Sequence, residues 1–297
     1  MVTLSPRAVF VTRETDYELL LARHATREQA RFFLESRGDR LDVLEARHDM
    51  FRETLRIARA LVPEEWRQAQ VRRADFDRFL FAPEDVVVAV GQDGLVANVA
   101  KYLDRQPVLG INPAPDLYDG ILVRVPLLAL REALPAAAAG AAAVERRTMV
   151  EAVLDNGERL LALNEVFVGH RSHQSARYRI AAGGEDEDQS SSGLIAASGT
   201  GATGWARSIM EATRKRLNVG IEEPAIAYFV REPFPSVSTG TRVRAGKVGG
   251  GGFSVTSRMN DGGVIFADGI EQDFIPFDWG RQVRIRPADR RLSLVVG

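Results

Sequence analysis

The chain has 297 residues, 45% hydrophobic and 27% charged, enough for two domains or one large one with ordinary cores. Its 39 basic and 40 acidic residues leave a net charge of −1, which excludes a global attraction to nucleic acid or to an acidic membrane. The absence of cysteine excludes disulfides, thiolate nucleophiles and cysteine-ligated metals. The run Ala8–Thr12 is short, β-branched and aromatic, and predicts a buried strand. From there to about Gly38 the apolar face Leu19, Leu20, Phe32 and Phe33 predicts a helix that stops at the glycine. A second helix is expected from about Arg40 to Leu61, ended by Pro63, and a third segment carries Val71, Phe76 and Phe79. Asp85–Val90 is continuously apolar after its first residue, as in a central parallel strand covered on both faces. Gly91-Gln92-Asp93-Gly94 follows at once, then a helix over Leu95–Leu103 and a strand over Pro107–Ile111. Strand, helix and strand in this order predict a doubly wound α/β domain.

The character changes after residue 122. An Ala-rich segment, Arg131–Val144, reads as a connecting helix. Asp155-Asn156-Gly157 between Arg147–Leu154 and Arg159–Leu163 is a hairpin signal. Alternating runs recur at Ala176–Ala181, Ala225–Val230, Gly252–Arg258, Gly263–Ala267, Val283–Arg286 and Leu292–Val296, so this part is β-rich. Glu185–Ser192 reads as a solvated loop and Gly249–Gly252 as a hairpin connection. The expected boundaries are 1–122 for the α/β nucleotide-binding domain and 123–297 for the β-rich domain, with the last strands free to return to the first. The stretch MVTLSPRAVFVTRETDYE has no signal-peptide pattern, and LPAAAAGAAAV is too short to span a bilayer. A cytoplasmic protein with no nucleic-acid or membrane partner is therefore expected. His24, His48, His170 and His173 are too scattered to suggest a zinc site.

Three constellations can carry chemistry. Gly91-Gln92-Asp93-Gly94 sits where open α/β sheets bind ligands. Glycines there let backbone amides approach phosphates, and a carboxylate beside them can accept a proton from a hydroxyl. A plain strand-to-helix turn is the competing reading. Asn164 and Glu165 interrupt an apolar strand-like run, Ala162–Val168. Because neighbouring residues face opposite sides, at least one of them points inward or into a cleft. An edge strand with solvent-facing polar groups is equally open. Gly193–Trp205 runs from a strand through a small-residue turn into a helix, and its Ser, Thr and Gly residues can surround a nucleotide. Trp205 can stack on a ring or join the core. Arg231 can meet a phosphate, but an ion pair is the plainer reading.

Taken in order, these pieces resemble the NAD kinase family. The matches are Gly91-Gln92-Asp93-Gly94, Leu109-Gly110-Ile111-Asn112, Asn164-Glu165, Thr200-Gly201-Ala202-Thr203 and Asp268-Gly269. Leu163–Val168, Ser191–Leu194 and Arg231–Pro233 look most like the mitochondrial-type branch. The resemblance implies an α/β N-terminal doubly wound domain plus a β-rich C-terminal domain, with the active site between them. It implies transfer of the γ-phosphoryl of ATP, with Mg²⁺, to the 2′-hydroxyl of the adenosine ribose of NAD, by positioning and charge neutralisation. Asp93 would be the base or orienting group; Gly91, Gln92 and Gly94 would shape the phosphate turn, with Asn112 nearby. Asn164 and Glu165 would hold the dinucleotide, and Thr200, Gly201, Thr203 and Trp205 would line its pocket. No protein metal ligands are expected, and a homo-oligomer is.

The departures are specific. Gln92 replaces the family's second glycine, and a left-handed backbone there would cost roughly 1 kcal/mol. Leu95 stands in place of Thr, and Asn112-Pro113-Ala114-Pro115 replaces a glycine-containing continuation. They leave two alternatives open: a weak or inactive homologue that binds a dinucleotide as a sensor, and a related kinase acting on another acceptor such as a sugar.

Overall fold

The computed structural model describes residues 5–296; the first four residues of the stretch read for targeting lie outside them. Among the described residues, 5–145 with 293–296 form one compact unit and 146–292 a second. The first unit contains β1 (Arg7–Thr12), α1 (Asp16–His24), α2 (Arg27–Glu35), α3 (Leu41–Ala60), β2 (Arg67–Arg72), β3 (Asp85–Val90), α4 (Asp93–Ala100), β4 (Pro107–Ile111) and α5 (Leu130–Ala138). Its strands run parallel in the order β2-β1-β3-β4. All of β3 is buried because both faces of the sheet are covered. On one face Phe10, Val86, Val88 and Leu109 share a core with Ala58 of α3 and with Leu130 and Leu134 of α5. On the other, α4 packs against β1, β3 and β4, and its Leu95, Val96 and Val99 are buried.

Three expectations change here. The first helical stretch is two helices, broken at Ala25, whose φ is 61°. Each starts on a threonine: Thr15 forms a capping box with Glu18, and Thr26 accepts from Gln29 N. The segment carrying Val71 contains β2, an edge strand in which only Val71 is buried, so it lacks an apolar run. The Ala-rich helix belongs to the first unit. The units divide after Glu145, because Leu130, Leu134 and Ala137 join the first unit's core.

The second unit holds most of β5 (Val144–Leu154) and then β6 (Arg159–Ala162), β7 (Glu165–His170), β8 (Ala176–Ala182), β9 (Glu185–Ser191), β10 (Leu194–Ala197), α6 (Trp205–Thr213), β11 (Ile226–Val230), β12 (Ala245–Val248), β13 (Phe253–Ser257), β14 (Gly263–Ala267) and β15 (Ile275–Pro276). The chain ends in β16 (Gln282–Val295). Six strands form an antiparallel sheet in the order β12-β11-β10-β7-β14-β15. A second layer places β13 between β8 and β16, with β9 beyond β8. The core lies between the layers: Val166, Val168 and Ala196 from one meet Tyr178, Ile180, Val255 and Ile285 from the other. α6 covers the outer face of the six-stranded sheet through Ala206, against Ile195 and Phe229.

The acidic run 185–191 is strand β9, not a loop. Alternation hides it: Glu187, Gln189 and Ser191 are buried, and Asp186 and Asp188 pair with Arg179 of β8. Gly249–Gly252 is not a hairpin turn either, because β12 pairs with β11 whereas β13 pairs with β8 and β16. The two last runs are one 14-residue strand. Its residues Ser293 and Leu294 pair in parallel with Pro107 and Val108 of the first unit. Among the described residues no helix is long and apolar enough to cross a membrane.

Candidate functional site

In the first unit the strand order reverses at β1: the chain moves to one side of it for β2 and to the other for β3. Ligands of open α/β sheets bind at the carboxyl ends of strands flanking such a reversal, and a cleft opens there. Arg13, Thr15 and Tyr17 follow β1, Gly91 and Gln92 follow β3, Asn112 and Tyr118 follow β4, and α3 adds Arg47, His48 and Phe51. Thr15 Oγ1 lies 2.9 Å from His48 Nδ1. Arg47 Nε is buried with no hydrogen-bond partner, which leaves a donor available at this wall. The sequence motifs point to Gly91, Gln92 and Asn112 but not to Arg13, Arg47 and His48. No motif marks them; only the packing of α3 beside β1 brings them to the cleft.

The motif's own side chains serve the loops. Gln92 is the N-terminal flanking residue of α4 at φ −97° and ψ 169°. This is ordinary extended backbone, so the expected left-handed strain does not arise. Its Oε1 accepts a long 3.4 Å bond from Arg13. Asp93 begins α4, and its two carboxylate oxygens accept from Leu122 N at 2.8 Å and Ile121 N at 2.9 Å. That clasp secures a loop which crosses β4 closely: a Cβ on Gly110 would stand 2.2 Å from Leu122 O. Glycine is required there by close approach of backbone. Asn112 Nδ2 donates to Tyr118 O and its Oδ1 accepts from Ala114 N, so this side chain braces its own loop. Leu95 is buried under the turn, in contact range of Gly91. Gly94 faces open space.

In the second unit the pattern is reversed. Leu163, Asn164 and Glu165 donate their backbone N–H groups to the carboxylate of Asp268, at 2.9, 2.7 and 3.2 Å. Asp268 sits at φ 50°, a conformation Asp tolerates better than most residues. Ser198 N donates to Asn164 O at 2.9 Å, and Ser198 Oγ donates to Leu163 O. Ser198 Oγ in turn accepts from Thr200 N and Gly201 N. Gly201 presses on this segment so closely that a Cβ would meet Asn164 O at 2.1 Å. Asn164 and Glu165 therefore have fixed backbones, while their half-buried side chains make no hydrogen bond or ion pair among the described residues. Burial, reinforced by the neighbouring negative Asp268, pushes the Glu165 carboxyl up to about 7.

The other second-unit candidates are engaged within the protein. The buried Thr200 hydroxyl accepts from Arg147 at 3.3 Å, and Thr203 Oγ1 donates to Thr200 O at 2.8 Å. Trp205 stacks on Phe167 with ring centroids 5.9 Å apart, and the Arg231 guanidinium lies over the Trp205 ring, 5.1 Å from its centroid. It packs against the core rather than standing free. Arg231 also lies 3.7 Å from Glu232.

An NAD kinase of Burkholderia pseudomallei is 34% identical over 135 residues, covering 43% of this chain and 44% of that protein. One from Burkholderia thailandensis is 33% identical over 135 residues, with the same coverage. The yeast NADH kinase solved with NADH has a TM-score of 0.58 at 16% identity, over 99% of this chain and 84% of that one. Over the 135 residues matched to the Burkholderia proteins the chain is similar to NAD kinases. An Archaeoglobus fulgidus NAD kinase solved with ATP also superposes, at TM-score 0.58 and 20% identity, over 98% of this chain and 93% of that one. These likenesses to NAD kinases show the two-part fold, an α/β unit and a β-rich unit. The matched stretch spans under half the length of the Burkholderia relatives, and no family model matches the chain.

Proposed function

We propose that this NAD kinase relative moves the γ-phosphoryl of ATP to the 2′-hydroxyl of the adenosine ribose of NAD, giving NADP. The observation that carries the reading is the Asn164–Glu165 pair: two polar side chains without partners on a backbone held by Asp268 and Ser198. Buried polar groups need partners, and ribose hydroxyls supply a donor and an acceptor each. The Burkholderia relatives named NAD kinase, and the solved kinases bound to NADH and to ATP, support the same ligands. On this reading the first unit serves the phosphates. Gly91 and Gly94 leave the turn open, the α4 amides face an anion, and Asp93 keeps the turn and the 121–122 loop in register. Each Asp93 oxygen retains a further lone pair, so the same carboxylate can accept the hydroxyl proton.

Among the described residues no three His, Asp or Glu side chains form a metal-binding group. On this reading Mg²⁺ arrives with ATP, since it commonly binds through substrate phosphates with few protein ligands. Mg²⁺ would neutralise charge on the transferring phosphoryl group. By family resemblance we also assign a homo-oligomer, which a light-scattering mass of one chain would contradict.

The test is to incubate the protein with NAD, ATP and Mg²⁺ and to detect NADP with an NADP-specific dehydrogenase. NADP formed by the wild type and lost in Glu165→Gln supports the reading. A specific observation favours a second one: Asp93 and Asn112 both satisfy backbone groups of their own loops. NAD binding by calorimetry without NADP formation would establish that second reading, a dinucleotide-binding homologue without turnover.

A further inference from the structure

We propose that a second anion site, an arginine-lined groove in the first unit, takes a run of linked phosphates. The groove lies beside the cleft. Arg52, Arg56 and Arg59 line it from α3, Arg72 from the end of β2 and Arg13 from the end of β1. The three α3 positions recur at helical spacing and so project from one face. Between them Phe51 and Leu55 pack into the first unit's core, which fixes the helix that carries the cations.

The charges in this groove do not cancel. Five guanidinium groups face two carboxylates, Glu14 and Glu18. Glu18 is occupied by the capping box, where its Oε2 accepts from the amide and the hydroxyl of Thr15. Glu14 reaches only Arg72, at 3.8 Å. Arg56 pairs with Glu53 on the exposed side of its own helix. Arg13 and Arg59 reach only neutral amide oxygens, of Gln92, Gln68 and Gln70, all at 3.4 Å. Arg52 has no partner among the described residues. Like charges one helical turn apart repel, so this cluster is unfavourable until an anion lies among them. Guanidinium forks match phosphate oxygens in plane and in pairs. Arg52 to Arg59 spans about 10 Å along α3, longer than one phosphate and suited to several in a row. Arg13 lines both the groove and the switch-point cleft, so the two sites are contiguous.

The experiment is calorimetric titration of the whole chain with inorganic tripolyphosphate in magnesium-free buffer. The wild type is expected to bind saturably, and more weakly as salt is raised. Arg52→Glu with Arg59→Glu should weaken binding at least tenfold. Arg78→Glu with Arg131→Glu changes the net charge equally at exposed sites outside the groove, and should leave affinity within about twofold. Equal loss in both pairs would reduce the effect to net charge and overturn the site, as would the absence of saturable binding by the wild type. If the glutamate pair fails to melt cooperatively, Arg52→Gln with Arg59→Gln replaces it, and unchanged affinity there overturns the proposal. Parallel titrations with ATP and AMP separate the sources of the phosphates. Loss of tripolyphosphate and ATP together assigns the groove to a nucleotide's tail. Loss of tripolyphosphate alone assigns it to a free oligophosphate. An equal loss of AMP would contradict a run of phosphates. Binding is read directly, so failure of the phosphotransferase reading leaves this test standing.

Discussion

The two motif regions use their residues in opposite ways. At Gly91–Gly94 and Asn112 the motif's polar side chains hold the surrounding loops, and side chains from outside the motif, Arg13, Arg47 and His48, line the cleft. At Asn164–Glu165 the motif's backbone is held by other residues, Asp268 and Ser198, and its own side chains are left without partners. The same kind of sequence signal thus marks a scaffold in one unit and a pair of side chains without protein partners in the other. The physical difference lies in which groups the loop amides find. Asp93 answers two amides in the first unit, and Asp268 answers three in the second.

The comparison breaks most severely at Asp268. Asp268→Ala leaves three amides without their acceptor, and each bond to a charged group is worth about 1.5–3 kcal/mol. Chemical denaturation should show a loss of at least about 3 kcal/mol, with NAD binding abolished; a loss under about 1 kcal/mol would mean that these amides find other partners. The next largest effect is in pH. The folded Glu165 carboxyl titrates near 7 against 4.5 for the free group. A raised acid pKa means that the folded state binds the extra proton, so the protein loses stability as pH rises from about 4.5 to 7. The loss is about 3 kcal/mol at most by linkage. Glu165→Gln should flatten that part of the stability profile without ligand and weaken NAD binding tenfold or more. An unchanged profile would remove the case for burial of this group.

Asp93→Asn is expected to cost about 1.5–3 kcal/mol, because the amide NH₂ opposes a backbone N–H where an oxygen accepted before. Turnover should fall with it. Wild-type stability in this variant would sink the clasp between Asp93 and the 121–122 loop and restore a purely catalytic role. The smallest effect is at Gln92. Its backbone is extended and its one side-chain bond is long. Gln92→Gly should therefore change stability by only a few tenths of a kcal/mol, as is usual for glycine at such a position, and turnover by less than threefold. A large gain in turnover would show that the Gln92 side chain obstructs the phosphates.

Periodicity alone was enough for the parallel strands β3 and β4, α3, the Asp155–Gly157 hairpin and most strands of the second unit, because burial on one or both faces writes itself into the residue pattern. Five short motifs in order carry the resemblance to NAD kinases. Strand β9 was illegible because Glu187 and Gln189, buried and bonded to each other and to the Val243 backbone, look, as letters, like solvent-facing residues. β2 was illegible because an edge strand needs no apolar run. The partners of Asp93 and Asp268 were decided by tertiary structure alone. A carboxylate's acceptor capacity is a property of the residue, but which amides reach it depends on loops that lie 28 and 105 positions away in the chain. The basic wall of the cleft and groove was decided in the same way, when packing set one face of α3 beside the ends of β1 and β2.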